Sequence, residues 1–66
     1  MKEMRNRVKE FRKKIKLTQD ELAQELGVTR QTINAVENNK YNPTLELAIK
    51  TAKFLGVPVE ELFFLD

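Results

Sequence analysis

Arg30, Gln31 and Asn34 are the residues of this chain whose types and spacing carry chemistry. A guanidinium can donate two bonds to guanine O6 and N7, and a carboxamide can pair with adenine N6 and N7. Ala35 is small and apolar, which suits a thymine methyl. On a helix, Gln31, Asn34, Ala35 and Asn38 share one face, with Arg30 at its leading edge. The competing reading is a solvated polar face that reads nothing. Covalent chemistry is poorly provided for. The chain has no Cys and no His, so disulfides, thiolate metal sites and the commonest general base are all missing. Its acids fall at helix caps and charged faces, and no catalytic constellation is visible. The expectation is a protein that is not an enzyme and that needs no cofactor or metal.

Base-reading side chains need a helix held at a fixed angle, and residues 18–38 supply one. They read as two short helices joined by a tight turn, the helix-turn-helix unit of DNA-binding proteins, over about a third of the chain. Thr18 and Glu21 have the S/T-x-x-E spacing of a capping box. Leu17 and Leu22 bracket that cap as a hydrophobic staple. Leu22, Ala23 and Leu26 then share a face. Gly27 follows where a positive φ ends the helix. Thr29 caps the second helix, Val28 and Ile33 staple it, and Ile33 and Val36 carry its buried side. Ala23 is small where two helices joined so tightly must cross closely.

The remaining segments read as further helices. Residues 5–15 place Val8, Phe11, Arg12 and Ile15 on one stripe. Residues 39–43 are a polar loop. Pro43-Thr44 opens a fourth helix with Leu45, Ala48, Ile49, Ala52 and Leu55 at core spacing, closed by Gly56. A short fifth helix runs from Val59 to about Phe63, and Phe64-Leu65 can be extended. The expected fold is all-α: five short helices in one domain, residues 1–66. A chain this small buries a modest core. Absence of Cys suits a reducing, cytoplasmic compartment. No apolar run approaches the ~18 residues of a membrane span, and no signal-peptide pattern is present.

Net charge is +2, unevenly spread. Residues 1–16 carry +6, against −2 for residues 17–40 and −2 for residues 41–66. A basic element on a near-neutral body is the footprint of a polyanion partner, or else a solvated helix face.

The run T-Q-D-E-L-A-Q-E-L-G-V-T-R-Q-T-I-N-A-V-E-N-N-K resembles the Cro/repressor (Xre-type) helix-turn-helix family. The likeness continues through N-P-T-L-E-L-A-I-K-T-A-K-F-L-G-V and V-E-E-L-F. Where the family has Gly after Glu-Asn, this chain has Asn39, which tolerates positive φ. Pro58 replaces the family's Ser or Thr cap, and Thr51 stands where a larger aliphatic residue is common. The resemblance implies that the second helix of the unit lies in the major groove, with Arg30, Gln31, Asn34 and Ala35 on base edges.

Phosphate contacts position such a protein without reading sequence. The helix start at Thr18 and Gln19 offers free amides and a positive dipole end. Thr29, Thr32 and Asn38 flank the reading face. The resemblance adds the following loop, with Lys40, Tyr41 and Asn42; Tyr41 either meets phosphate or merely covers Pro43. Lys9, Lys13 and Lys16 add diffuse attraction. The resemblance also implies an inward ion pair between Arg12 and Glu37, tying the first helix to the third.

The fourth helix has more apolar residues than one core needs. Leu47 and Phe54 fall about 150° from its core face and form a second stripe with Thr51. Phe63, Phe64 and Leu65 cannot all enter one small core, and Phe63 is the one placed inside. Surplus apolar surface suggests an interface. The expectation is a homodimer through Leu47, Phe54, Phe64 and Leu65, binding double-stranded DNA at a palindromic operator as a repressor. The alternatives are an antitoxin that also caps a toxin partner, a protein-interaction adaptor without DNA binding, and a monomer whose tail covers Phe54.

Overall fold

In a computed structural model of the chain, residues 4–65 are described. Lys2, Glu3 and Asp66, counted in the charge distribution, lie outside the described residues. The order is β1 (Met4–Asn6), α1 (Val8–Lys14), α2 (Gln19–Leu26), α3 (Arg30–Glu37), α4 (Leu45–Leu55), α5 (Val59–Leu62) and β2 (Phe63–Leu65). The helical architecture is the expected one. The addition is a short antiparallel pairing of the two ends, with Met4 opposite Leu65, Arg5 opposite Phe64 and Asn6 opposite Phe63. The Arg7 amide extends the ladder by donating to the Leu62 carbonyl at 2.9 Å.

Local rules set the helix ends. At α2 both halves of the capping box form: the Glu21 amide donates to Thr18 Oγ1 at 3.1 Å, and the Thr18 amide donates to Glu21 Oε1 at 2.8 Å. Thr29 and Thr44 cap α3 and α4 by accepting from the amides of Thr32 and Leu47. Gly27 ends α2 at φ 72°, and an added Cβ there would meet nothing within 4 Å. The cost of a side chain is therefore conformational alone. Gly27→Ala is expected to lose about 1–2 kcal/mol, read as a shifted urea midpoint, and Gly27→Asn less. A loss well above that would mean that the site is crowded.

Leu22, Leu62 and Val8 are the largest fully buried side chains, and Ala23, Ile33, Val36, Ala48 and Ala52 close around them. Phe63 is inside, as expected.

Three expectations need correction. The first helix begins at Val8, because Met4 to Asn6 are committed to strand pairing. It also ends at Lys14. Lys16 then turns the chain at φ 59°, and Ile15 is left 49% exposed rather than inward.

The buried arc of α4 is rotated by roughly 60–70° from the one expected. Leu45 is 75% and Ile49 39% exposed, while Leu47 is 9% and Thr51 3% exposed. Ala48, Ala52 and Leu55 belong to either arc, so spacing did not separate them. Thr51 decides the matter physically. Its hydroxyl donates to the Leu47 carbonyl at 2.6 Å, so it enters the core with its polar atom satisfied. Leu47 thus belongs to the protein's own core and is withdrawn from the expected dimer interface. Phe54 and Leu65 remain exposed, and Phe64 is half-buried beneath the Arg7 guanidinium, 5.7 Å from its ring centre.

Candidate nucleic-acid interface

Helix α3 has eight residues and is about 12 Å long. Ile33 and Val36 anchor it to the core. That anchoring turns Arg30, Gln31, Asn34 and Asn38 to solvent, with Ala35 half-buried at the edge. Arg30, Gln31 and Asn34 line one shallow depression. Arg30 also borders a second, shared with Thr18, Gln19 and Asp20 at the start of α2. The exposed face of α3 and the amino end of α2 are therefore one continuous surface, with Arg30 at the join. This surface offers two-pronged donors and acceptors along α3 and free helix-start amides beside them.

Several of its polar atoms already have internal work. Thr18 Oγ1 accepts from Glu21, leaving its hydroxyl proton and the first amides of α2 for an outside acceptor. Asn38 Nδ2 donates back to the Asn34 carbonyl at 2.8 Å. Thr29 and Thr32 share a hydroxyl contact of 3.1 Å. Asp20 opposes an anion at the α2 end, a local cost that spacing alone did not reveal.

Behind this face lies a charged cluster. Arg12 Nε donates to Glu37 Oε2 at 2.7 Å, and Nη2 donates to Oε1 at 3.1 Å. Arg12 Nη1 donates to the Leu17 carbonyl at 2.7 Å, and Gln19 Nε2 donates to Glu37 Oε1 at 3.0 Å. The Glu37 side chain is only 1% exposed. One carboxylate thus joins α1, the amino end of α2 and the last turn of α3. Gln19 keeps its second N–H for an outside acceptor.

Beyond α3, Asn39 takes φ 58° and the Lys40 amide donates to the Ala35 carbonyl at 2.9 Å. Lys40, Tyr41 and Asn42 are exposed on the loop this creates. Tyr41 borders a cleft with Thr32, Thr44 and Lys50. Lys50 lines the same cleft, where its ammonium pairs with Glu46 at 3.1 Å. Neither Lys50 nor Asn6 stands out in the sequence. Among the described residues, no buried side-chain nitrogen or oxygen lacks a hydrogen-bond partner. No described helix is long and apolar enough to cross a membrane.

A helix-turn-helix family model matches residues 8–62, which is all five helices. The chain belongs to the Xre-type helix-turn-helix family of transcriptional regulators. It is 51% identical over 63 residues to an uncharacterised HTH-type transcriptional regulator of Methanocaldococcus jannaschii, covering 96% of each chain. It is 41% identical over 63 residues to an uncharacterised HTH-type transcriptional regulator of Bacillus subtilis, YgzD, again covering 96% of each. The restriction-modification controller protein C.AhdI of Aeromonas hydrophila has a similar solved structure. There the TM-score is 0.76 at 31% identity, over 83% of this chain and 80% of that one. An Xre-type regulator is a DNA-binding protein and not a member of an enzyme class. In this Xre-type regulator, α2 and α3 are the two helices of the motif.

Proposed function

We propose that this regulator represses transcription by occupying a palindromic operator as a homodimer. The observation that carries the reading is the exposed, continuous polar face of Arg30, Gln31 and Asn34 on a helix locked from behind by Ile33 and Val36. Helix α3 enters the major groove, and Arg30, Gln31, Asn34 and Ala35 meet base edges. Thr18, Gln19, Thr29, Thr32, Asn38, Lys40, Tyr41 and Asn42 hold the backbone on either side. Phe54 and Leu65 are exposed and supply apolar surface for a second copy. Occlusion of polymerase is the simplest consequence of such binding.

Selection of bound sequences from a random DNA pool tests this. Two inverted half-sites centred about one helical turn apart are expected. A single asymmetric site would overturn the dimer, as would a monomer mass by light scattering at high micromolar protein. No enrichment even at low salt, where phosphate attraction is strongest, would overturn DNA recognition itself. Transcription in vitro from a promoter overlapping the selected site should fall on adding the protein; a rise would replace repression with activation.

A further inference from the structure

Strand alternation turns Met4 and Asn6 of β1 toward the body of the protein and Arg5 away from it. Asn6 therefore reaches across to the far end of α3. Its Nδ2 donates to the Val36 carbonyl at 2.8 Å and to Asn39 Oδ1 at 3.2 Å. Its Oδ1 accepts from the Val8 amide at 3.1 Å. Val36 lies in the last turn of α3, where carbonyls have no partner within the helix. The same carbonyl also accepts from the Asn39 amide at 3.1 Å. Asn39 is the residue at φ 58° that sends the chain into the loop of Lys40, Tyr41 and Asn42. A single carboxamide thus caps α1, closes the end of α3 and grips the turn behind it.

From this geometry we infer that Asn6 is a positioning residue for DNA-backbone binding. It fixes the loop of Asn39 to Asn42 relative to α3, and so sets the distance between the phosphate-facing loop and the base-reading face. It touches no base itself. Arg30 and Gln31 lie at the opposite end of α3, more than one turn from Val36. Loss of the tether should therefore loosen the backbone contacts of the loop and leave base discrimination intact. The inference rests on the DNA-binding reading above for its consequence, but the tether itself is a property of the free protein.

The test is Asn6→Ser, which keeps a neutral acceptor for the Val8 amide and removes the long amide donor. In the free protein, the Asn39 and Lys40 amides should exchange with solvent about five- to tenfold faster relative to the Ile33 amide. On the selected DNA site, the slope of log affinity against log salt should shrink by about one unit, the loss of one phosphate contact. The affinity ratio between that site and one altered under Arg30 or Gln31 should not change. Uniform acceleration of all three amides, or an unchanged salt slope, would reduce Asn6 to a helix cap. If Asn6→Ser does not fold, Asn39→Gly serves instead. It keeps the positive φ, the strand pairing and the bond from the Val8 amide to Asn6, and removes the Asn39 side chain with its Oδ1 acceptor. A smaller shift in the same two readouts is expected, and none would overturn the inference. If the parent protein binds no DNA, the functional reading fails while the exchange measurement still decides the tether.

Discussion

Glu37→Ala is expected to remove a large share of the stability of this protein. The carboxylate is almost wholly enclosed and takes donors from Arg12 and Gln19. Its removal leaves the Arg12 guanidinium, 9% exposed, facing no counter-charge. Stranding one member of a buried pair costs about 3–5 kcal/mol. A chain of this size holds roughly 0.05–0.15 kcal/mol per residue, so that loss is a large share of the whole. At ~4–8 °C per kcal/mol, the Tm should fall by more than about 12 °C. Removing both partners, as in Arg12→Met with Glu37→Leu, should cost far less, because no charge is left behind. Thermal melts of the two single variants and the pair form a double-mutant cycle that reads the coupling directly. A Glu37→Ala protein melting within a few degrees of the parent would show that water replaces the carboxylate at no great cost. The pair would then not be what holds α3 against α1.

The second large effect falls on recognition and spares the fold. Arg30→Ala combined with Gln31→Ala should cost about 2–6 kcal/mol of binding to the selected operator, at about 1–3 kcal/mol for each two-pronged contact. At 1.4 kcal/mol per tenfold, that is at least roughly thirtyfold in affinity. Both side chains are exposed, and neither makes a side-chain hydrogen bond or ion pair among the described residues. Stability should therefore move by less than about 0.5 kcal/mol. The decisive measurement is competition binding between the operator and versions altered one base pair at a time. The variant should lose its preference at the altered positions while keeping its affinity for unrelated DNA. An equal loss on every sequence would reassign Arg30 and Gln31 to phosphate.

What could be read from the sequence followed the range of the interactions concerned. The α2 and α3 caps depend on residues three apart, and Thr18, Glu21 and Thr29 announce them by type alone. Gly27 likewise marks a backbone angle that most side chains avoid. The face of α4 depends on what packs against it from a distance. Its alanines fit either of two arcs, and Thr51 reads as a surface residue by type, whereas its hydroxyl donates to the Leu47 carbonyl inside the core. The strand at Met4 to Asn6 was hidden for a similar reason. Its partner lies at the other end of the chain, and nothing local in Met-Arg-Asn favours extended over helical backbone. The Asn6 contacts could not be read for the same reason, since Val36 and Asn39 are thirty and thirty-three residues away. Types and spacings also placed Arg30, Gln31 and Asn34 on one face, but only the packed structure shows that face running on to Thr18 and Gln19.

The pairing of Met4 with Leu65 brings the two ends of the fold to within about 5 Å of each other. Geometrically, the polypeptide enters and leaves through one door. A unit of that shape can be spliced into a surface loop of another protein without prying the loop open, because host and guest need share only two neighbouring positions. The same closeness means that a short linker from Leu65 back to Met4 would make a ring. New ends could then be cut at the exposed loop of Lys40 to Asn42, with every helix left whole.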